Sequence, residues 1–166
     1  MAEGVRATPL FFQGLNDDQK ELLAPLLESC RFAASTVIFK QGDPAANIYL
    51  LTEGQVQILF KPEDGPPLIV TRLQAGEVFG WSSALQRVTY TSSAISIVES
   101  GAYRIDGKAL HELCERHPKE GVIILEKLAS AIALRLDAMH TEMMNILNPE
   151  MELGGASSGK AEGNDQ

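Results

Sequence analysis

The residues with the most chemical content fall in one short stretch. Gly76-Glu77-Val78-Phe79-Gly80-Trp81-Ser82-Ser83-Ala84-Leu85 is followed by Tyr90-Thr91-Ser92-Ser93-Ala94. Gly80 lacks a Cβ, so the backbone there can make a tight turn or approach a ligand closely. Trp81 and Tyr90 offer flat faces that stack on a ring or line an apolar pocket. Their indole N–H and phenol O–H are directional donors. The same two side chains have an internal use as well, with Trp81 filling the pocket and packing on Tyr90.

Other reactive side chains are scattered. His111, His117 and His140 all lie in the C-terminal part of the chain. A metal-dependent barrel enzyme needs several histidines and a carboxylate on barrel strands. That pattern is missing, and the histidines read as solvated helix residues rather than haem ligands. No Ser-His-Asp arrangement, nucleophile elbow or phosphate loop is seen, so a non-enzyme with no cofactor is expected. Cys30 and Cys114 have no partner motif and read as small buried hydrophobes in a reduced compartment.

The rest of the chain must position that stretch. Its 166 residues fit one domain and a tail, and 45% hydrophobic with 22% charged content suits a globular core. A formal net charge of −8 repels nucleic-acid phosphates. Met1 to Thr8 lacks the apolar core of a signal peptide, and no apolar run approaches a membrane span of about 20 residues. A soluble, cytoplasmic protein with no membrane partner is expected.

Near the start, Asn16 can cap a helix, with Gln19 closing a capping box. Leu22, Leu23, Leu26 and Leu27 give that helix an apolar face, and Pro25 makes it short or two-part. From Arg31 to Ile105 the pattern is β. Strands are expected at Val37–Phe39, Ile48–Leu51, Val56–Phe60, Ala94–Val98 and Ala102–Ile105, with one more that begins with Leu68, Val70 and Leu73. Gly42, Gly54 and Gly76 end strands, where tight turns demand positive φ. Short strands with Gly/Pro turns mean a sandwich or small barrel. Asp106 then caps a helix holding Leu110 and Leu113. A second helix runs from Pro118 with an apolar stripe at Leu125, Leu128, Ile132, Leu136, Met139, Met143 and Ile146, and Asn148-Pro149 stops it.

This organisation resembles the cyclic-nucleotide-binding domain family, found in bacterial catabolite-activator-type (Crp/Fnr-like) regulators, kinase regulatory subunits and nucleotide-gated channels. Four fragments carry the resemblance in order. They are Phe11-Phe12-Gln13-Gly14-Leu15; Ile38 to Tyr49 with its Gln41-Gly42-Asp43; Glu53-Gly54-Gln55-Val56; and the cassette Gly76-Glu77-Val78-Phe79-Gly80. The resemblance implies a mainly β fold with flanking helices, a double-stranded β-helix (jelly roll) with a long C-terminal helix. It places the domain at residues 9–147, with 148–166 a disordered tail.

It also implies a ligand pocket, for a cyclic nucleotide or another small anion, at Phe79, Gly80, Trp81, Ser82, Ser83, Ala84, Arg87, Tyr90, Thr91 and Ser92. Ser82, Ser83 and Ala84 would supply helix-start amides to a phosphate. Thr91 and Ser92 match the small residues that line it. Two anchors depart from the family pattern. Trp81 stands where the sugar-binding Glu belongs, and an indole accepts no hydrogen bond. Tyr90 stands where the phosphate-binding Arg belongs and carries no positive charge at neutral pH. Each lost charge-assisted contact forfeits roughly 1.5–3 kcal/mol, one to two decades of affinity. Ordinary cAMP or cGMP affinity should therefore vanish. Arg87 either swings in as a substitute cation or is a solvated loop charge.

The long helix resembles the family's dimerisation helix, so Leu125, Leu128, Ile132, Leu136, Met139 and Met143 are expected at a homodimer seam; packing on the chain's own domain is the alternative for the first half, whereas the second half, from Ile132 to Ile146, extends past where a small barrel could cover it. Only 19 residues follow Leu147, and no DNA-recognition helix fits into them. The expected function is a stand-alone sensor module. The alternative is a dimeric interaction module that binds no ligand and serves another protein.

Overall fold

The computed structural model describes residues 10–147. The readings of a disordered tail and of a stop at Asn148-Pro149 lie outside those residues. A 3-10 turn at Leu10–Gly14 leads into α1 (Asp17–Leu23). Asn16 accepts a hydrogen bond from the Gln19 amide while the Gln19 side chain accepts from the Asn16 amide, each at 2.9 Å. Pro25 ends the regular helix, and Ala24–Leu26 continues as one 3-10 turn.

Among the described residues eight strands follow: β1 (Glu28–Phe32), β2 (Val37–Phe39), β3 (Asn47–Glu53), β4 (Gln55–Phe60), β5 (Leu68–Gln74), β6 (Val78–Phe79), β7 (Ser93–Ser96) and β8 (Ser100–Asp106). They pair antiparallel in two four-stranded sheets, ordered β1-β8-β3-β6 and β2-β7-β4-β5. The helices are α2 (Gly107–Arg116) and α3 (Pro118–Leu147). This is the mainly β jelly roll with a long C-terminal helix that the sequence pointed to.

Three details correct the sequence reading. The β region begins earlier, at Glu28. Val78 and Phe79 form a two-residue strand against β3. β7 stops at Ser96 instead of running to Val98, because the buried Ser96 and Ser100 hydroxyls bond nearby backbone at the bends: Ser96 Oγ donates to Ala33 O at 2.6 Å and Ser100 Oγ to Val98 O at 2.8 Å.

β3 is the spine, buried on both faces as a near-continuous apolar run. Ile48 and Leu50 point to one core with Phe11, Leu23, Ile105, Leu110, Ile124 and Leu128, which fixes α2 and the first half of α3 to the sheet. Tyr49 and Leu51 point between the sheets, into a second core with Phe39, Val56, Leu73, Phe79 and Tyr90. Asp106 caps α2 by accepting from the Ala109 amide at 2.9 Å. Cys30 and Cys114 are half-buried free thiols, and burial pushes both above their ordinary pKa.

Gly42, Gly54 and Gly76 all adopt positive φ at strand ends. At Gly54 (φ 87°) a Cβ would also fall 2.3 Å from Ser100 Oγ and 2.7 Å from Glu99 O. Gly54→Ala should therefore destabilise the fold by roughly 1–3 kcal/mol. Urea unfolding should show a lower midpoint at unchanged slope.

Candidate functional site

The cassette turns at Gly80, whose φ of 73° suits glycine. Its missing Cβ faces protein rather than an open site: Asn47 O and a Tyr49 ring carbon would lie 3.1 Å away and a Phe39 ring carbon 3.3 Å away. A single 3-10 turn, Trp81–Ser83, follows. The Ala84 amide is spent inside that turn on Trp81 O at 3.0 Å. Ser83 donates to Gly80 O at 3.3 Å and faces a separate polar surface cleft beside α2.

A cavity of about 350 Å³ opens beside this turn. Seven of the ten expected pocket residues line it: Phe79, Gly80, Trp81, Ser82, Tyr90, Thr91 and Ser92. Ser83, Ala84 and Arg87 do not. Arg87 is exposed and borders the polar cleft, its amide donating to Ser82 O at 3.0 Å. Sequence reasoning missed the opposite wall of Phe39, Ile58, Phe60, Val70, Thr71 and Leu73, and the roof of Leu136 and Met139 from α3. The alternation of Val56, Ile58 and Phe60 already pointed one face of β4 inward. Nothing local marks that face as a cavity wall, because the space exists only where the two sheets and α3 diverge.

Tyr90 occupies the expected phosphate-anchor position as a structural ring. It is 5% exposed and stacks on Phe39 with ring centres 3.8 Å apart and planes at 13°. Its hydroxyl donates to Asn47 O at 2.7 Å and accepts from Asn47 N–H at 3.0 Å. Burial is the main cause that pushes this phenol above its ordinary pKa, partly offset by the backbone contacts. Trp81 is half-buried in the cavity wall and leaves the cavity open; the ring pairs among the described residues join Tyr90 to Phe39, not to Trp81. Among the described residues, none that lines the cavity is charged.

The expected dimer stripe divides along α3. Leu128 is buried in the chain's own core and Ile132 packs against that core. Leu136 and Met139 roof the cavity, Leu125 is exposed, and Met143 is 59% exposed near the helix end. Arg135 tethers this half of the helix to the cassette, donating from Nη1 to Glu77 Oε1 at 3.0 Å. The second Glu77 oxygen accepts from the Gln74 amide at 2.6 Å. The Arg135 side chain is 9% exposed, and its Nε and Nη2 are buried without hydrogen-bond partners. Glu142, on the same helix, comes only to 4.0 Å from Nη2.

The sequence matches the family model for the cyclic nucleotide-binding domain over residues 29–117. The chain belongs to that family. It is 26% identical over 136 residues to the CRP-like cAMP-activated global transcriptional regulator of Mycobacterium tuberculosis, covering 82% of this chain and 59% of the regulator. It is 29% identical over 126 residues to the global nitrogen regulator of Synechocystis sp., covering 75% of this chain and 52% of that protein. The chain thus spans only part of these relatives. A cyclic nucleotide-binding domain from Methylobacillus flagellatus superposes with a TM-score of 0.74 at 16% identity, covering 80% of this chain and 75% of that one, a likeness of fold. Among the described residues no helix is long and apolar enough to cross a membrane.

Tyr90→Phe keeps the stacked ring and removes both contacts to Asn47. It should cost about 1–3 kcal/mol near neutral pH. The raised phenol pKa favours the protonated form in the folded state. Its stabilising contribution is therefore full below the ordinary value of 10.0 and lost as pH rises towards the folded value. Thermal unfolding from pH 8 upward should show the gap between the two proteins narrowing above about pH 10.

Proposed function

We propose that this chain is a regulatory module whose cassette no longer holds cAMP or cGMP in the ordinary way. It reads a different small molecule and passes occupancy to α3. The observation that carries this is the lining of the cavity: no charge among the residues described there, and a roof from the helix that would transmit the signal. An occupant touching Leu136 and Met139 has different contacts with docked and undocked α3, so it can shift the balance between the two. The junction between α2 and α3, around His117 and Pro118, is the natural hinge. That one relative is named for activation by cAMP and another for nitrogen regulation fits a fold that serves several signals.

A second reading, a dimeric interaction module, is favoured by the end of α3. Residues 140–147 are all exposed, with Met143 at 59%, Ile146 at 77% and Leu147 at 69%. An apolar helix end of this kind suits pairing with a second copy of the chain. The two readings are compatible: a dimer joined through the helix end leaves the roof residues free to sense the cavity. Action on another protein, without DNA contact, fits the net negative charge.

Calorimetric titration should show no saturable binding of cAMP or cGMP up to about 1 mM, where binding free energy is only about −4 kcal/mol. Saturable micromolar binding of either would overturn the proposal. Sedimentation should show a dimer, and Met143→Glu should shift it towards monomer without lowering the melting temperature of the domain. A wild-type monomer at high concentration would remove the dimer reading.

A further inference from the structure

We infer that the Arg135–Glu77 ion pair is a release latch. Glu77 holds the distal half of α3 on the cassette. Once Glu77 withdraws, the buried charge of Arg135 favours that half leaving for water. This rests on the proposal that α3 carries the signal, and it names the contact that frees the helix and the part that moves.

The contacts along α3 are uneven. Ile124 and Leu128 are buried in the first core, and Gly121 lies so close to α2 that an added Cβ would fall 2.8 Å from Cys114 Cα. The proximal half therefore leaves only if that core opens. Beyond Leu128 the apolar cover thins: Leu136 is 50% exposed, and residues 140–147 are all exposed. Ser130 and Thr141 spend their hydroxyls within the helix, on Glu126 O and Asp137 O. Among the described residues, the bond from Arg135 Nη1 to Glu77 Oε1 is the hydrogen bond that ties this half to the rest of the chain.

The Arg135 side chain is 9% exposed, yet its Nε and Nη2 meet no hydrogen-bond acceptor, Glu142 Oε1 being 4.0 Å from Nη2. A guanidinium does not shed its charge. With Glu77 as counter-charge it is tolerated in the docked helix. Without Glu77, docking leaves an uncompensated buried cation, which is strongly unfavourable. Solvating the distal half removes that cost. Glu77 is placed to decide between the two. Its other oxygen accepts from the Gln74 amide at 2.6 Å, and two residues later Phe79 lines the cavity. A shift of that wall is carried to the carboxylate.

Amide hydrogen exchange on the full, unliganded chain reads the two halves separately, because a helix end without packing is only marginally stable. Glu77→Gln keeps the shape and an acceptor for the Gln74 amide. In it, the amides of residues 131–139 should exchange at least about tenfold faster, with those of 121–128 unchanged. Arg135→Met removes the buried charge with its unmet donors and keeps an apolar stem, while Glu77, 27% exposed, stays solvated. Here the amides of 131–139 should exchange no faster than in the wild type, and the double variant should match Arg135→Met. A salt bridge that merely stabilises would give equal loosening in both single variants. That equality, no change in Glu77→Gln, or loosening that reaches 121–128 would overturn the inference while leaving the regulatory proposal to the calorimetric titration.

Discussion

The ring of Tyr90 sets the character of the site. It lies face to face with Phe39 on β2, and its hydroxyl clasps both backbone groups of Asn47 at the start of β3. One side chain thus ties the end of the cassette loop to strands of both sheets. An arginine there would leave those backbone groups and the Phe39 face without this partner. A cation buried at this depth would also need a counter-charge to justify its desolvation. The geometry that stabilises the loop is therefore the geometry that removes the positive charge from the pocket. One residue choice thus places an uncharged ring in the core and no cation in the cavity wall.

From that clasp the architecture follows outward along β3. Its alternating side chains serve two cores at once, one between the sheets and one under the helices. The cavity lies beside the inter-sheet core, where Phe39, Leu73, Phe79 and Tyr90 belong to both core and wall. Changes at the wall are therefore felt by packed neighbours, because interiors at crystal-like density do not deform freely. Gly80 completes this arrangement by letting Asn47 O and the rings of Tyr49 and Phe39 close over the turn.

The sequence was most legible where a single local rule decided the outcome. The Asn16/Gln19 capping box, the Asp106 cap, the Pro25 break and the positive-φ glycines depend on neighbours a few residues away, and they stand as expected. Seven pocket residues came from motif order. The opposite wall did not, because Thr71 and Val70 are ordinary strand residues until the sheets are placed face to face. β1 was missed because it pairs with the distant β8 while staying mostly exposed, which leaves no clear alternation to read. The aim of Arg87 was decided by a loop that holds Gln86 at a φ of 55°, a conformation its residue type does not announce. Self-packing of the first half of α3 was legible, but the cover that Leu136 and Met139 give the cavity was not, because spacing alone cannot say which turns of the second half the chain covers itself.

On the proposed reading, that division of α3 is the means of response. The first half is fixed by Ile124 and Leu128, both essentially fully buried. The second half is held by far less: the apolar roof of Leu136 and Met139, and one ion pair from Arg135 to Glu77 of the cassette. The guanidinium uses one of its donors well and leaves Nε and Nη2 buried and unmatched. A partly satisfied buried cation stabilises its docked position less than its Coulomb attraction alone suggests, since unmet donors offset part of the gain. The distal half of the helix is thus held by fewer contacts than the proximal half. On the proposed reading, an occupant that packs beneath the cavity roof adds to the contacts that hold the distal half. Glu77 begins the cassette and also receives the helix, so the segment that builds one wall of the cavity is the segment that grips the element above it.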